Sequence, residues 1–187
     1  QMIYEIHNPE RYLTPDTIAD FSHVTFTQVG ENRVEAAHAT SHGKPETLKV
    51  SVGYKDCFIG EGEISYGGMN CMNRAKLAAD IVEKRLKLVG VEMEEFRIDY
   101  IGYNSLYKSE ISDQYAPDVF PEIRLRVSGR TKDKANATLI ANEVEALYTN
   151  GPAGGAGATK KVSEIVSICS IFVPRDIIKI EVGYKEV

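Results

Sequence analysis

Between Leu48 and Tyr66 the chain alternates with period two, and this constrains the fold more than any other feature. Leu48, Val50, Val52 and Tyr54 alternate with Lys49, Ser51, Gly53 and Lys55, the pattern of a strand with one buried face. After a short turn containing Asp56, Gly60, Gly62, Ile64 and Tyr66 alternate with Ile59, Glu61, Glu63 and Ser65. The spacing predicts strands over 47–55 and 58–66. Glu61 and Glu63 project from one side of the second strand, between glycines that let another backbone or a ligand come close.

From Met69 to Val89 the period changes to that of a helix, with Ala75, Ala78, Ala79, Val82, Leu86 and Val89 on one stripe and Gly90 as its stop. A strand follows at 95–103, then a polar, Tyr-rich stretch at 104–121. A further strand carries Ile123, Leu125 and Val127 against Glu122, Arg124 and Arg126. Thr131 is expected to cap a second helix over 132–148, with Ala137, Ile140, Ala141, Val144 and Leu147 inward. Ile165–Val173, apolar on both faces, reads as a central covered strand, and 178–184 as a last, edge strand.

Upstream, Gln1–Ile6 reads as the last turns of an amphipathic helix, and with no initiator Met it implies the C-terminal portion of a longer protein. Thr14-Pro15-Asp16 predicts a short helix to Phe21, and 24–37 a hairpin turning at Gly30-Glu31-Asn32. Two regions result: 1–46, a helix end and hairpin, and 47–187, the core. The fold class is α+β, a mainly antiparallel sheet with two helices on one face. Its core is a split βαβ, ferredoxin-like arrangement, with an N-terminal hairpin and an added C-terminal strand.

A net charge of −5 argues against a nucleic-acid partner, which needs a basic face. No apolar run approaches the ~20 residues of a membrane span. Cys57, Cys71 and Cys169 are odd in number and far apart, as in a reduced cytoplasmic protein without a zinc site.

The glycine-rich segment 150–158 is the first candidate for binding. Asn150, Gly151, Gly154, Gly155 and Gly157 would expose amides that cradle an anion, with Lys160 and Lys161 beside them. It follows a helix and lacks the ending of a Walker A loop, and a Gly151 C-cap followed by a flexible connector explains it about equally well. Glu61 and Glu63 are candidates for acid/base work or for binding a hard cation, against the plainer reading of a solvated strand face. Tyr103 and Asn104 end a strand, where binding residues collect, although turn formation accounts for Asn104 nearly as well. His38 and His42 lie in a loop, where a spacing of four does not make a metal pair; no metal and no cofactor are expected.

The segments YEIHNPERYLTPDTIADFSHV (4–24), LKVSVGYKDCFIGEGEISYGG (48–68), GYNSL (102–106), PEIRLRVSGR (121–130) and ALYTNGPAGGAG (146–157), in this order, resemble the acyclic terpene utilisation A family. The resemblance covers nearly the whole chain and corresponds to the second half of the family domain. It departs at Cys57, where the family pattern often has Gly. It implies a bacterial pathway for citronellol- and geraniol-type terpenes running through acyl-CoA intermediates, hence a small-molecule substrate such as a CoA thioester. Two functions follow as expectations. One is an enzyme of carboxylic-acid or acyl-CoA catabolism. The other is a homo-oligomerisation module, with the strands at 24–37 and 178–184 pairing between subunits and the catalytic groups in the missing half.

Overall fold

The computed structural model describes residues 2–186. Its chain divides into two compact units, one of Gln1–Gly53 with Ile168–Val187 and one of Tyr54–Ser167.

The first unit opens with a helical turn, α1 (Met2–Glu5), at the expected helix end. Its small sheet joins β1 (Tyr12–Leu13), β2 (Ile18–Asp20) and β5 (Thr40–Ser41), with β2 in the middle. The helix expected from Asp16 is not formed, and β2 stands in its place. Thr14 Oγ1 does accept from Thr17 N at 3.0 Å, as an N-cap would. However, the next amide, Ile18 N, donates to Gly43 O at 2.7 Å, and Ile18 O accepts from His42 N at 2.9 Å. Cross-strand pairing has taken the groups that a helix needs. The hairpin forms as expected, from β3 (Thr25–Gly30) and β4 (Arg33–Ala37), with Asn32 at φ 54° in the turn. Nearly all of it is exposed, Phe26, Val29 and Val34 included. Arg175 ties the unit together: its amide donates to Glu46 O and its guanidinium to Pro45 O and Pro15 O.

The expected turn at 56–57 is absent: β6 (Thr47–Gly67) is one strand of 21 residues. Asp56 serves as an ion-pair centre and does not turn the chain. α2 (Cys71–Leu88), β7 (Glu95–Ile101), β8 (Glu122–Thr131), α4 (Lys134–Asn150) and β9 (Gly155–Pro174) follow, with one short helix, α3 (Ser109–Ser112), inside the long polar connection. The sheet order is β7-β8-β6-β9, and β8 is antiparallel to both β6 and β7. This is an α+β arrangement.

Both helices cover one face of this sheet. Ala75, Ala78, Ala79, Val82 and Leu86 of α2 and Ile140, Val144 and Leu147 of α4 close over Ile64, Tyr66, Ile123, Leu125 and Val127. Each fully buried Val, Leu or Ile among them contributes roughly 1.5–3 kcal/mol. Val89, expected on the stripe, is 42% exposed because the helix has already ended. α4 starts later than expected. Thr131 still belongs to β8, opposite Phe58, and Asp133 is the cap, accepting from Ala135 N at 2.8 Å.

The glycines of β6 serve this packing. A Cβ on Gly60 would lie 2.0 Å from Ala137 O, and one on Gly62 would lie 2.4 Å from Val144 Cβ. Gly129, the register partner of Gly60, sits under Ile140. These glycines form a flat notch into which α4 sinks.

β9 corrects two further expectations. It begins at Gly155, so half of the glycine-rich segment is strand. It is also an edge strand and not a covered one, with Val166 and Ile168 exposed. The stretch expected as a final strand, 178–184, is neither helix nor strand.

Candidate functional site

Side chains alternate across a strand, so placing Gly60, Gly62, Ile64 and Tyr66 against the helices turns Glu61, Glu63 and Ser65 to the other face. Register then sets their neighbours. Glu61, Glu63 and Ser65 stand opposite Ser128, Arg126 and Arg124 of β8, which in turn face Arg97, Asp99 and Ile101 of β7. The helix-free face is therefore a lattice of opposite charges.

At its centre Asp99, only 1% exposed, receives Arg97 Nε at 2.7 and 2.9 Å and lies 2.8 Å from Arg126 Nη2. Arg97 also donates to Ser105 O, bringing the following loop onto the lattice. Arg126 Nε is buried and donates to no described acceptor; Glu61 Oε2 lies 3.8 Å from it. Arg124 holds Glu63 and donates to Ser65 Oγ and Thr159 Oγ1, both at 3.1 Å, and to Gly157 O at 3.3 Å. Beside these groups lies a depression of about 300 Å³ lined by Glu61, Gly62, Glu63, Thr159, Lys160 and Lys161.

A second cluster surrounds Asp56. The Ser167 hydroxyl donates to it at 2.6 Å, Lys132 Nζ at 3.1 Å and Arg130 Nη2 at 2.9 Å. These bonds, Ser167 first, hold the Asp56 carboxyl down to about 2. Arg130 Nε donates to the buried Cys57 Sγ at 3.1 Å, and that sulfur with Asp56 raises the guanidinium above its usual range.

The sequence candidates fall into separate groups. Glu61, Glu63 and Lys160 all border the depression, although the Lys160 amino group reaches α4. Asn150 and Gly151 end α4. Gly154, at φ +78°, and Gly157, at φ +62°, make the bends that lead into and along β9. Gly155 is packed against the helix-side core, where a Cβ would meet Ile64 Cδ1 at 2.9 Å and the Tyr66 ring at 3.1 Å. The loop is gripped through its carbonyls: Arg74 donates to Ala153 O at 2.7 Å, and also to Gly67 O and Met69 O. Lys160 is engaged by Glu145 and Asn142 of α4. Asn104 closes a turn by accepting from Tyr100 N at 3.0 Å, while Tyr103 bonds Asp113 and packs edge-on against Phe120. His42 pairs with Asp20 at 3.2 Å, and Asp20 is held down to about 2 by Ser22 and then His42.

Sequence reasoning missed Asp99, Arg97, Arg124 and Arg126 as members of the site. A signal was present: Arg124, Arg126, Ser128 and Arg130 fall at every second position of one strand. Among the described residues no three His, Cys, Asp or Glu side chains are grouped to hold a metal, and no helix is long and apolar enough to cross a membrane.

The geometry defines an α+β protein unit whose sheet has one face sealed by helices and the other lined with paired arginines and carboxylates around a shallow depression. The sequence model described as acyclic terpene utilisation family protein AtuA matches residues 1–184, and the chain belongs to this family. No curated protein and no solved structure matches it.

Proposed function

We propose that this chain supplies the substrate-binding face of a cytoplasmic enzyme of carboxylic-acid or acyl-CoA catabolism, with the site on the helix-free side of the sheet. The observation that carries this reading is the depression bordered by Glu61, Glu63 and Lys161, with Arg126, whose buried Nε has no described acceptor, opposite Glu63 on the neighbouring strand. A guanidinium N–H of this kind is a ready donor to a carboxylate or phosphate oxygen. Lys161, exposed and unpaired with any described carboxylate, adds attraction for an anion at the rim. Glu61, only weakly held at 3.8 Å, is the carboxylate placed to accept or return a proton. The glycine-rich segment contributes by bending the chain so that Thr159–Lys161 flank the carboxylates. The family's name speaks of acyclic terpenes, and branched apolar acids or their thioesters are the substrate class proposed here.

The test is a thermal-shift series with CoA, branched acyl-CoAs, the free acids and divalent cations, repeated in Glu61→Gln and Lys161→Ala. A ligand at 100 times its Kd adds ~2.7 kcal/mol, a shift of several degrees for a domain of this size. A shift that shrinks in both variants supports the site. A shift untouched by either places the ligand elsewhere, and no shift with any of these compounds removes the reading.

A further inference from the structure

The stretch Ile178-Lys-Ile-Glu-Val-Gly-Tyr184 has the period-two pattern of a strand, yet it forms neither helix nor strand. The backbone hydrogen bonds described for it end at Ile178 N, which donates to Arg175 O. Its apolar positions lie open: Ile180 is 84%, Val182 76% and Tyr184 99% exposed, and Ile178 42%. Lys179 and Glu181, exposed as well, sit between them. A row of free backbone groups with one apolar side is a template for pairing with another chain.

The sequence itself selects the partner. When two copies are placed antiparallel about a two-fold axis at Ile180, Lys179 falls opposite Glu181 of the partner subunit, and Glu181 opposite Lys179 of the partner subunit. Ile180 then faces its own copy and Ile178 faces Val182 of the partner subunit. Directly opposed positions in an antiparallel pair are the ones whose side chains interact, favourably for opposite charges and unfavourably for like ones. Moving the axis one residue either way sets Lys179 against itself, or Glu181 against itself. Of these three neighbouring registers, the charge pattern of 178–182 is self-complementary in one.

We infer that residues 178–182 form an intermolecular antiparallel β-ribbon that joins two copies of this chain in an isologous dimer. The interface repeats the same patch on both subunits, as two-fold assemblies do. Ile171, Phe172 and Ile177, exposed in the same C-terminal stretch, extend the apolar area available to it. This assembly is independent of the substrate reading above and would survive its failure.

Charge reversal tests it on the whole chain, using sedimentation velocity or light scattering over a range of concentrations. Wild type should dimerise. K179E and E181K each turn both symmetric pairs repulsive and should weaken dimerisation about tenfold or more. The double swap K179E/E181K restores attraction and should return to near the wild-type constant. In a Cys169→Ser background, Ile180→Cys should cross-link to itself under mild oxidation, because opposed residues in such a ribbon have Cα atoms within disulfide range. A wild-type monomer at all concentrations overturns the inference. So does a dimer indifferent to both single reversals, or a double swap that fails to recover. Circular dichroism of the variants, whose altered side chains are exposed, separates loss of pairing from loss of fold.

Discussion

Gly60 lies directly beneath the carbonyl of Ala137, so close that a single added methyl would stand 2.0 Å from that oxygen. The neighbour is helix backbone, which cannot rotate aside. Gly60→Ala should therefore destabilise the protein by about 3 kcal/mol, at the upper end for overpacking. Its register partner makes the control. At Gly129 the added methyl meets Ile140 Cδ1 at 2.6 Å and Met93 Sδ at 2.9 Å, the ends of flexible side chains. Gly129→Ala should cost ~1 kcal/mol, and Ile140→Val should recover part of it. Urea denaturation of the single and double variants reads both.

Asp99 is sealed between Arg97 and Arg126. Asp99→Asn keeps the shape and removes the charge, leaving two guanidiniums facing each other. A fully buried pair broken in this way loses ~3–5 kcal/mol; with both arginines partly exposed, about 2–3 kcal/mol is expected. A loss below ~0.5 kcal/mol in denaturant melts would show the lattice to be solvated.

Acid should find Asp56. Its carboxyl is lowered from 3.8 to about 2 in the folded chain, so its contribution is fully present above the unfolded value. That contribution fades as pH falls from about 4 towards 2. The melting temperature of wild type should drop towards that of Asp56→Asn over this window, and Ser167→Ala should narrow the window by removing the hydrogen bond that lowers the carboxyl most. Parallel curves for wild type and Asp56→Asn would contradict the assignment.

Gly155→Ala pushes a methyl against Ile64 and the Tyr66 ring. A stability loss of ~1–3 kcal/mol should appear whether or not any ligand is present. A normal melt combined with lost ligand binding would restore the glycine-rich segment as a binding loop.

The helical stripes of α2 and α4 were legible because each is a self-contained periodic pattern. The continuity of β6 is legible too, since 48–54 and 60–66 keep the same even parity, but Asp56 between them suits a turn equally well. Its actual partners, Lys132 and Ser167, are remote in sequence. The same limit hid the site. Asp99 meets Arg126 only through the β7–β8 register, and no local pattern carries register. The glycines at 60 and 62 were seen to admit a close neighbour, and that neighbour is a helix. Edge position misled at β9, where a doubly apolar run lies on the outside of the sheet.

Arg74 spans Gly67 O, Met69 O and Ala153 O, so the turn after α4 and the corner before α2 are held by one side chain. The glycine-richest stretch of the chain is thereby clamped from outside. To a protease it should present one of the slower cleavage sites on the surface, and amides around Ala153 should exchange with solvent in step with those at Met69. Lysine at position 74, a single point donor, cannot span the three carbonyls, so both corners should loosen together.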